Sequence, residues 1–243
     1  MNNFLKENEV LDDLEYEGLR LIQNKNGYKF STDSVLLANF AKAKQTDKYV
    51  DFCSGSGVVA ILFACKNKIK ESYAFEIQKK LADMAQRSVE INNQNIKIIN
   101  DDLSNAHKIL GSESVDVITV NPPYNSQGET STTTEIAIAT HEIKTDLNAI
   151  VSASFKTLKF GGKLFMVHRA DRLVDILSEL RLNRIEPKVI RIVYPKVSKE
   201  PNLVLVEAKK GAKPGIKFLP PLILETEDGK ETEELKKIYN RKN

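Results

Sequence analysis

The sequence has few of the residues that build disulfide frameworks or metal sites. Its 243 residues include two cysteines, Cys53 and Cys65, and three scattered histidines, His107, His141 and His168. This spacing matches neither a disulfide framework nor a zinc site, so we expect no metal. No neighbouring residue in the sequence is placed to activate Cys53, and we expect no nucleophilic role for that thiol.

Long hydrophobic segments are also lacking. No stretch approaches the roughly 20 apolar residues that span a membrane, and the segment Met1–Glu7 lacks the apolar core of a signal peptide. We therefore expect a cytoplasmic protein. With 41% apolar residues the chain suits one large domain better than two. We divide it into an N-terminal extension (1–45), a core (46–210) and a tail (211–243), and we expect a monomer.

Positive charge is scarce in the first part of the chain and in excess in the last. Residues 1–155 carry 16 Lys/Arg against 21 Asp/Glu, and residues 156–243 carry 20 against 12. The excess is greatest between Arg181 and Lys217, with ten cations and three anions. Such a stretch indicates a polyanionic partner such as nucleic acid, although charge runs are also common on ordinary solvated surfaces.

Apolar, β-branched stretches alternate with helical patterns along the chain. The predicted strands are 49–52, 72–76, 96–99, 115–120, 163–167, 189–194 and 203–206, and the predicted helices are 58–66, 78–92, 146–158, 172–182 and 233–239. This alternation predicts an α/β fold, a doubly wound and mostly parallel sheet with helices on both faces. The segment Pro195–Asn202 is too short for a crossover helix, so the last two strands should form an antiparallel hairpin.

Turn residues mark the remaining segments. Asn26-Gly27 is a favoured hairpin dipeptide between the predicted strands 19–23 and 27–30, and Ser31-Thr32-Asp33 can cap a following helix. Gly161-Gly162 predicts a turn before the fifth core strand. The Ser/Thr-rich segment 125–140 predicts a mobile flap, and beyond Lys210 only loop and the last helix are expected.

The most informative segment is Asn121-Pro122-Pro123-Tyr124, directly after the predicted strand 115–120. Proline fixes φ and donates no hydrogen bond, so the strand should end abruptly in a stiff, extended backbone. In open α/β sheets the carboxyl ends of strands are where ligands bind. A simple strand-ending turn is the alternative interpretation.

These four residue types suit the transfer of a methyl group to a conjugated amino group. The lone pair of adenine's amino nitrogen is delocalised into the ring, which makes it a poor nucleophile. The Asn121 side-chain oxygen and the Pro122 carbonyl can accept both N–H groups and hold the nitrogen towards tetrahedral geometry. Tyr124 would stack on the base, an interaction worth roughly 1–3 kcal/mol.

A nucleoside cofactor is indicated by the ends of the other strands. The segment Asp51–Gly57 has glycines where a backbone approaches a ligand closely. Glu76 ends the second strand, where a carboxylate can bind both ribose hydroxyls, and Asp101-Asp102-Leu103 ends the third, where a carboxylate can bind an adenine amino group. The glycine loop and Glu76 alone do not separate a nicotinamide nucleotide from S-adenosylmethionine. Each acid can also be a helix cap or loop charge.

Taken in order, these motifs resemble the class I S-adenosylmethionine-dependent methyltransferases that act on amino nitrogens. The motifs are Phe30–Ala38, Asp51 with Gly55 and Gly57, Glu76, Asp102-Leu103 and Asn121–Tyr124. Within that class the chain is similar, from about Leu19 to Lys210, to the bacterial tRNA adenine-N6 methyltransferases that modify adenosine-37, 3′ of the anticodon, in a valine tRNA. The resemblance implies a Rossmann-like sheet of seven strands, with the last one antiparallel between the fifth and sixth.

The resemblance also implies roles for individual residues. The implied catalytic residues are Asn121, Pro122, Pro123 and Tyr124. The implied binding residues for S-adenosyl-L-methionine are Thr32, Asp33, Asp51, Cys53, Gly55, Gly57, Glu76, Ile77, Asp101, Asp102, Leu103 and Asn121, and Asp101 competes with Asp102 for the adenine. The charge pattern adds the RNA-binding candidates Lys196, Lys199, Lys209 and Lys210. Cys53, where a small or apolar residue is expected, and the tail depart from the family pattern.

The expected activity is methyl transfer to N6 of an adenosine in a structured RNA loop, with a tRNA as the partner. Transfer to a glutamine amide of a translation factor is an alternative, but enzymes of that kind carry a helical N-terminal domain and only a short segment precedes the core here. A ribosomal RNA target and a catalytically inactive RNA-binding module are further alternatives. DNA methylation would need a sequence-reading domain, for which no segment is left.

Overall fold

A computed structural model describes residues 4–26, 30–123 and 147–241 of the protein. The strands in these ranges are β1 Glu9–Asp13, β2 Arg20–Asn24, β3 Lys48–Phe52, β4 Glu71–Phe75, β5 Ile96–Ile99, β6 Val115–Val120, β7 Leu158–Arg169, β8 Ile185–Tyr194, β9 Leu203–Lys210, β10 Lys217–Phe218 and β11 Leu222–Ile223. The helices are α1 Thr32–Phe40, α2 Val58–Asn67, α3 Lys79–Ile91, α4 Ala106–Leu110, α5 Leu147–Thr157, α6 Leu173–Leu182 and α7 Glu233–Ile238. None of these helices is long and apolar enough to cross a membrane.

Nine strands form one sheet in the order β10-β8-β9-β7-β6-β3-β4-β5, and β11 also pairs with β8. The neighbouring pairs are parallel except those of β9, which lies antiparallel between β7 and β8. The seven long strands therefore confirm the predicted sheet, including its antiparallel last strand. The two-residue strands β10 and β11 extend the edge beside β8, and they come from the tail, where only loop was predicted.

Helices cover both faces of the sheet because successive residues of a strand point to opposite sides. Val50 and Ile118 pack in an apolar layer with α4, α5 and α6, whereas Tyr49 and Val117 pack in a second layer with α1, α2, α3 and α7. The parallel strands all end at the same side of this sheet. We call that side the carboxyl edge; it consists of the residues that directly follow β3, β4, β5, β6, β7 and β8.

The described part of the N-terminal extension forms a hairpin that the sequence did not predict. β2 pairs antiparallel with β1, which precedes it, whereas the sequence predicted pairing with 27–30. Residues 27–29 lie outside the described ranges. The turn between β1 and β2 holds Glu15 and Glu17 at φ values of 54° and 48°. Glutamate seldom adopts this left-handed conformation, and Gly18, at a φ of 73°, is the one local turn signal there.

Two core strands are longer than predicted because each contains residues that usually signal a break. β7 begins at Leu158 and continues through Gly161-Gly162, which were predicted as a turn. β8 begins at Ile185 and includes Pro187, with a register shift between Pro187 and Val189 where it faces β9. Glycine and proline are tolerated in strands at such irregularities. The five-residue helix α4 was not predicted, because it is too short to show a periodic pattern.

The tail crosses the sheet edge and returns to the N-terminal helix. Its helix α7 buries Leu235 and Ile238 in the same apolar layer as α1. The Tyr239 hydroxyl then donates a hydrogen bond of 3.3 Å to Thr32 Oγ1 at the start of α1. The tail, to which the sequence assigned no role, therefore supports the helix that carries Thr32 and Asp33.

We predict that Leu235→Ala lowers the free energy of unfolding by about 2–3 kcal/mol, because it removes a buried side chain between the tail and α1. Leu182→Ala is the matched control, since Leu182 is 75% exposed at the end of α6 and its truncation should change stability by less than about 0.5 kcal/mol. Urea denaturation of both variants measures the difference. Equal stability of the two variants would mean that the tail contributes little to the core.

Candidate active site

The residues that follow β3, β4, β5 and β6 meet at the carboxyl edge, as the order of the strands requires. Backbone hydrogen bonds continue beyond the strands, from Ser54 N to Phe75 O at 3.0 Å and from Glu76 N to Ile99 O at 3.1 Å. These bonds hold the glycine loop, Glu76 and the residues after β5 side by side. Asn121 follows β6, which lies directly on the other side of β3.

The glycine loop between β3 and α2 needs residues that adopt positive φ. Cys53, Gly55 and Gly57 have φ values of 56°, 57° and 94°. A Cβ on Gly57 would lie 3.3 Å from the Cβ of Ala85 on α3, so this glycine also allows the two helices to pack closely. A Cβ on Gly55 would meet nothing within 4 Å, so the loop borders open space there.

The carboxylate of Glu76 organises the loop. Its Oε2 accepts a hydrogen bond from Gly55 N and its Oε1 accepts one from Gln78 N, both at 2.8 Å. Glu76 is 5% exposed, and burial raises the pKa of its carboxyl above the usual value. Each carboxylate oxygen has a second lone pair, so Glu76 can bind the loop and still accept from a ligand.

Asp51 is a buried acid with one oxygen that lacks a partner. Its Oδ1 accepts a hydrogen bond of 2.6 Å from Thr119 Oγ1 on β6, which in turn lies 2.7 Å from the Tyr49 hydroxyl. Its Oδ2 is buried and has no hydrogen-bond partner among the residues that the structure describes. Burial raises the pKa of Asp51 to about 8. The carboxyl is therefore protonated in much of the ligand-free protein at neutral pH.

Two serine hydroxyls at the same place also lack partners within the described ranges. They are Ser54 Oγ in the glycine loop and Ser31 Oγ at the N-cap position of α1, where the serine was expected to cap the helix but makes no side-chain cap bond. Buried polar groups are almost always hydrogen-bonded in proteins. Asp51 and the two serines therefore mark a site for a polar ligand at the carboxyl edge.

The structure separates the two candidate acids after β5. Asp101 Oδ1 accepts hydrogen bonds from Asp102 N and Asn105 Nδ2, and the Asn105 bond holds the pKa of Asp101 below its usual value. Asp102 caps the turn at Leu103 through Ser104 N. After burial and the charges of Glu76 and Asp51, the charge of Asp102 also raises the pKa of the Cys53 thiol in the glycine loop.

The remaining predicted cofactor contacts differ in exposure. Ile77 follows Glu76 and is 38% exposed, so its side chain can pack against a ligand ring, whereas Leu103 is largely buried in the core.

Burial, followed by the charges of Glu76 and Asp51, raises the pKa of the Cys53 thiol well above its usual value. This supports the expectation that Cys53 is not a nucleophile, because the thiolate is the reactive form.

Asn121 lies beside the N-terminal turn of α1. Its Nδ2 donates a hydrogen bond of 3.0 Å to Ser34 Oγ, which places the turn containing Thr32 and Asp33 next to the end of β6. Pro122 is buried and Pro123 is partly exposed. The fourth residue of the motif, Tyr124, and the expected flap 125–140 lie outside the described residues.

The four lysines predicted to bind RNA fall at opposite sides of the sheet. Lys196 and Lys199 lie in the loop between β8 and β9, at the carboxyl edge, and Ala170 N donates to Asn202 O to hold this loop beside the end of β7. Lys209 pairs with Lys163 and lies near the other end of β9, roughly 20 Å away at about 3.3 Å per residue.

Lys210 does not fit its predicted role. It is 4% exposed, and its ammonium donates to Glu113 Oε1 and to the carbonyls of Phe155 and Leu158 at 2.6–2.8 Å. A buried, fully paired ammonium cannot neutralise a phosphate. The charge pattern of the sequence identified the basic segment. It did not show that β9 separates the two ends of that segment, which lie at opposite edges of the sheet.

Four contributors to the site were missed by sequence reasoning: Ser31, which was expected only as a helix cap, and Ser34, Ser54 and Thr119. Ser54 lies inside the glycine loop, where its position was the available signal. Ser34 and Thr119 act across 87 and 68 positions of sequence, on Asn121 and Asp51 respectively. No local pattern predicts such partners.

Known proteins of similar sequence are methyltransferases. The family model of the methyltransferase small domain matches residues 24–181, more than half of the chain. A tRNA1(Val) (adenine(37)-N6)-methyltransferase of Haemophilus influenzae (strain PittEE) is 26% identical over 223 residues, which cover 90% of this chain and 92% of that protein. The enzyme of the same name from Tolumonas auensis is 23% identical and covers 79% of this chain and 80% of its own length.

Solved structures share the fold. Protein Atu636 of Agrobacterium tumefaciens, described as a predicted O-methyltransferase, superposes with a TM-score of 0.71 at 19% identity and covers 86% of this chain and 95% of its own. TYW2 of M. jannaschii, solved in complex with AdoMet, superposes with a TM-score of 0.57 at 16% identity. The superposition covers 84% of this chain and 87% of the TYW2 chain. The fold is therefore that of a Rossmann-like methyltransferase.

We predict that Asp51 makes the ligand-free protein less stable as the pH rises towards 8. The folded-state pKa of about 8 exceeds the unfolded value of about 3.9, so the native state binds the extra proton and stability declines between these values, by up to about 1.4 kcal/mol per pH unit. Asp51→Asn, which cannot ionise, should show a shallower decline in urea denaturation at pH 6, 7 and 8. Parallel profiles for the two proteins would show that Asp51 is ionised throughout.

Proposed function

The chain belongs to the methyltransferase small domain family, and we propose that it transfers a methyl group from S-adenosylmethionine to N6 of an adenosine in RNA. The proposed target is adenosine-37 of a valine tRNA. The observation that carries this proposal is the position of Asn121-Pro122 at the end of β6, beside the buried unpartnered oxygens of the glycine loop. The name shared by the tRNA1(Val) relatives supports the choice of target.

The residues at the carboxyl edge fit S-adenosylmethionine. Asp51 Oδ2 can accept from the ammonium of its methionine part, and the hydroxyls of Ser54 and Ser31 can bind its polar atoms. Glu76 would bind the ribose, while Asp102 and the exposed side of Ile77 would contact the adenine. The bound cofactor supplies a methyl group on a positively charged sulfur, which is the electrophile of the reaction.

Asn121 and Pro122 would bind the amino group that attacks this methyl group. The Asn121 Oδ1 and the Pro122 carbonyl accept one N–H each, which draws the nitrogen lone pair out of conjugation and directs it towards the cofactor. The two prolines keep these acceptors fixed, and fixed hydrogen-bond acceptors contribute to catalysis because they need no reorganisation in the transition state. Formation of the N–C bond would break the carbon–sulfur bond and leave a neutral thioether. The nitrogen would then lose one proton to solvent, since neither acceptor is a base.

The RNA would be held from the loop between β8 and β9. This loop lies at the same edge as Asn121 and contributes the exposed Lys199 and the partly exposed Lys196. Lys196 lies 3.7 Å from Glu225 of the tail, and Ser198 donates to Glu227, so the tail fixes the loop in place. An adenosine in a stacked loop must be flipped out to reach a pocket at the end of a strand, and cations beside the pocket would hold its neighbouring phosphates.

We predict that two variants separate the roles of the strand ends. Asn121→Ala should lower kcat for a valine tRNA about 100- to 1000-fold, the usual effect of losing one transition-state hydrogen bond, with little change in cofactor affinity. Glu76→Ala should instead weaken S-adenosylmethionine binding by about tenfold or more, because charge-assisted hydrogen bonds contribute roughly 1.5–3 kcal/mol. Single-turnover kinetics and calorimetry measure the two effects. If Asn121→Ala turns over like the wild type, the motif is only a structural turn and Asn121 has no role in the reaction.

We predict that the double variant Lys196→Gln/Lys199→Gln binds tRNA more weakly and with a smaller dependence on salt. Removing one lysine–phosphate interaction should reduce the slope of log affinity against log salt by about one. Lys209→Gln/Lys213→Gln removes the same charge from the other end of β9 and should bind like the wild type. Fluorescence anisotropy at several salt concentrations measures both variants. If the two double variants weaken tRNA binding equally, the loop between β8 and β9 is not the specific binding surface for the RNA.

A further inference from the structure

Ser34 contacts the side chain on which the proposed reaction depends. It lies in the first turns of α1, is 8% exposed, and its Oγ accepts the 3.0 Å hydrogen bond from Asn121 Nδ2. The bond joins a helix of one apolar layer to the end of a central strand. It therefore holds the Asn121 side chain in place at the end of β6, with Nδ2 directed at Ser34.

We propose that Ser34 is a positioning residue that orients the Asn121 amide for catalysis, an inference that rests on the proposed function. A side-chain amide is asymmetric, with an acceptor oxygen at one end and a donor nitrogen at the other. An adenosine amino group offers only N–H donors to Asn121 while its lone pair attacks the methyl group. With Nδ2 directed at Ser34, the acceptor Oδ1 points away from that hydroxyl and can face the amino group. In the reversed amide Oδ1 would accept from Ser34, and Nδ2 would then meet the N–H groups of the adenosine, donor against donor.

The helix that carries Ser34 is itself well fixed. Val35, Leu36 and Leu37 are each no more than 2% exposed in the apolar layer beneath the sheet, and Ser34 N donates to Ser31 O in the first turn. At the start of the helix the Tyr239 hydroxyl reaches Thr32. The hydroxyl of Ser34 is therefore held by the core and the tail together, and water has little access to replace it.

The test compares substitutions that remove or keep this hydroxyl. Ser34→Ala removes the acceptor that holds the Asn121 amide, which should lower kcat for the valine tRNA by roughly tenfold, with unchanged affinity for S-adenosylmethionine. Ser34→Thr keeps the hydroxyl and should recover most of the rate. Ser154→Ala is the matched control, because Ser154 is also buried, on α5, and bonds the Ile150 carbonyl of its own helix, so it should turn over like the wild type.

A second comparison distinguishes orientation from general loosening of the site. A carboxylate presents an acceptor oxygen in either orientation, so an Asn121→Asp enzyme does not need its side chain turned one way. In that background Ser34→Ala should change kcat by less than about twofold. If Ser34→Ala slows both backgrounds equally, Ser34 is a structural residue and the inference is wrong.

The outcomes also separate this inference from the proposed function. A wild-type protein that leaves adenosine in tRNA unmethylated would overturn the proposed function and this inference with it. An active wild type, an inactive Asn121→Ala variant and a fully active Ser34→Ala variant would leave the function standing and overturn the role of Ser34. Thermal denaturation of each variant, at the concentrations used for kinetics, confirms that the compared proteins are folded.

Discussion

The hydrogen bond between Asp51 and Thr119 joins the two strands on which the site depends. It links β3, which leads into the glycine loop, to β6, which leads into Asn121, and it is buried together with the Tyr49 hydroxyl. Asn121 follows Thr119 by two residues, so this bond helps to set the separation between the cofactor loop and the amide. Methyl transfer needs donor and acceptor held in contact and in line. The sheet itself provides that spacing.

Burying acidic groups at the carboxyl edge lowers the stability of the folded protein, and the rest of the fold compensates for this loss. Desolvation raises the pKa of both Asp51 and Glu76, and such buried acids destabilise a protein unless a partner arrives. Two continuous apolar layers supply the compensating burial, and the tail adds to one of them through Leu235 and Ile238. The tail thus links stability to function, because the helix that it supports also carries Ser34.

The features that could be predicted from the sequence are local ones. A strand closed by Pro122-Pro123, a glycine loop between a strand and a helix, and an acid at Glu76 are each recognisable from a few neighbouring residues, and the parallel order of the strands then brings them together. The hydrogen bond of Ser34 with Asn121 and the pairing of β1 with β2 could not be predicted in this way. The hydrogen bond joins residues 87 positions apart, and the separation of Lys196 from Lys209 depends on the length of β9. The hairpin of β1 and β2 is local, but its turn holds Glu15 and Glu17 in a conformation that glutamate seldom adopts.

The central claim is that the carboxyl edge methylates the amino group of an adenosine in RNA. The most direct test incubates the purified protein with S-adenosylmethionine carrying a deuterated methyl group and with unfractionated cellular RNA, followed by digestion to nucleosides and mass spectrometry. The account predicts a single labelled nucleoside, N6-methyladenosine, which fragment mapping assigns to the anticodon loop of a valine tRNA. Label on a different nucleoside, or in glutamine of a co-purified protein with none in RNA, would contradict it.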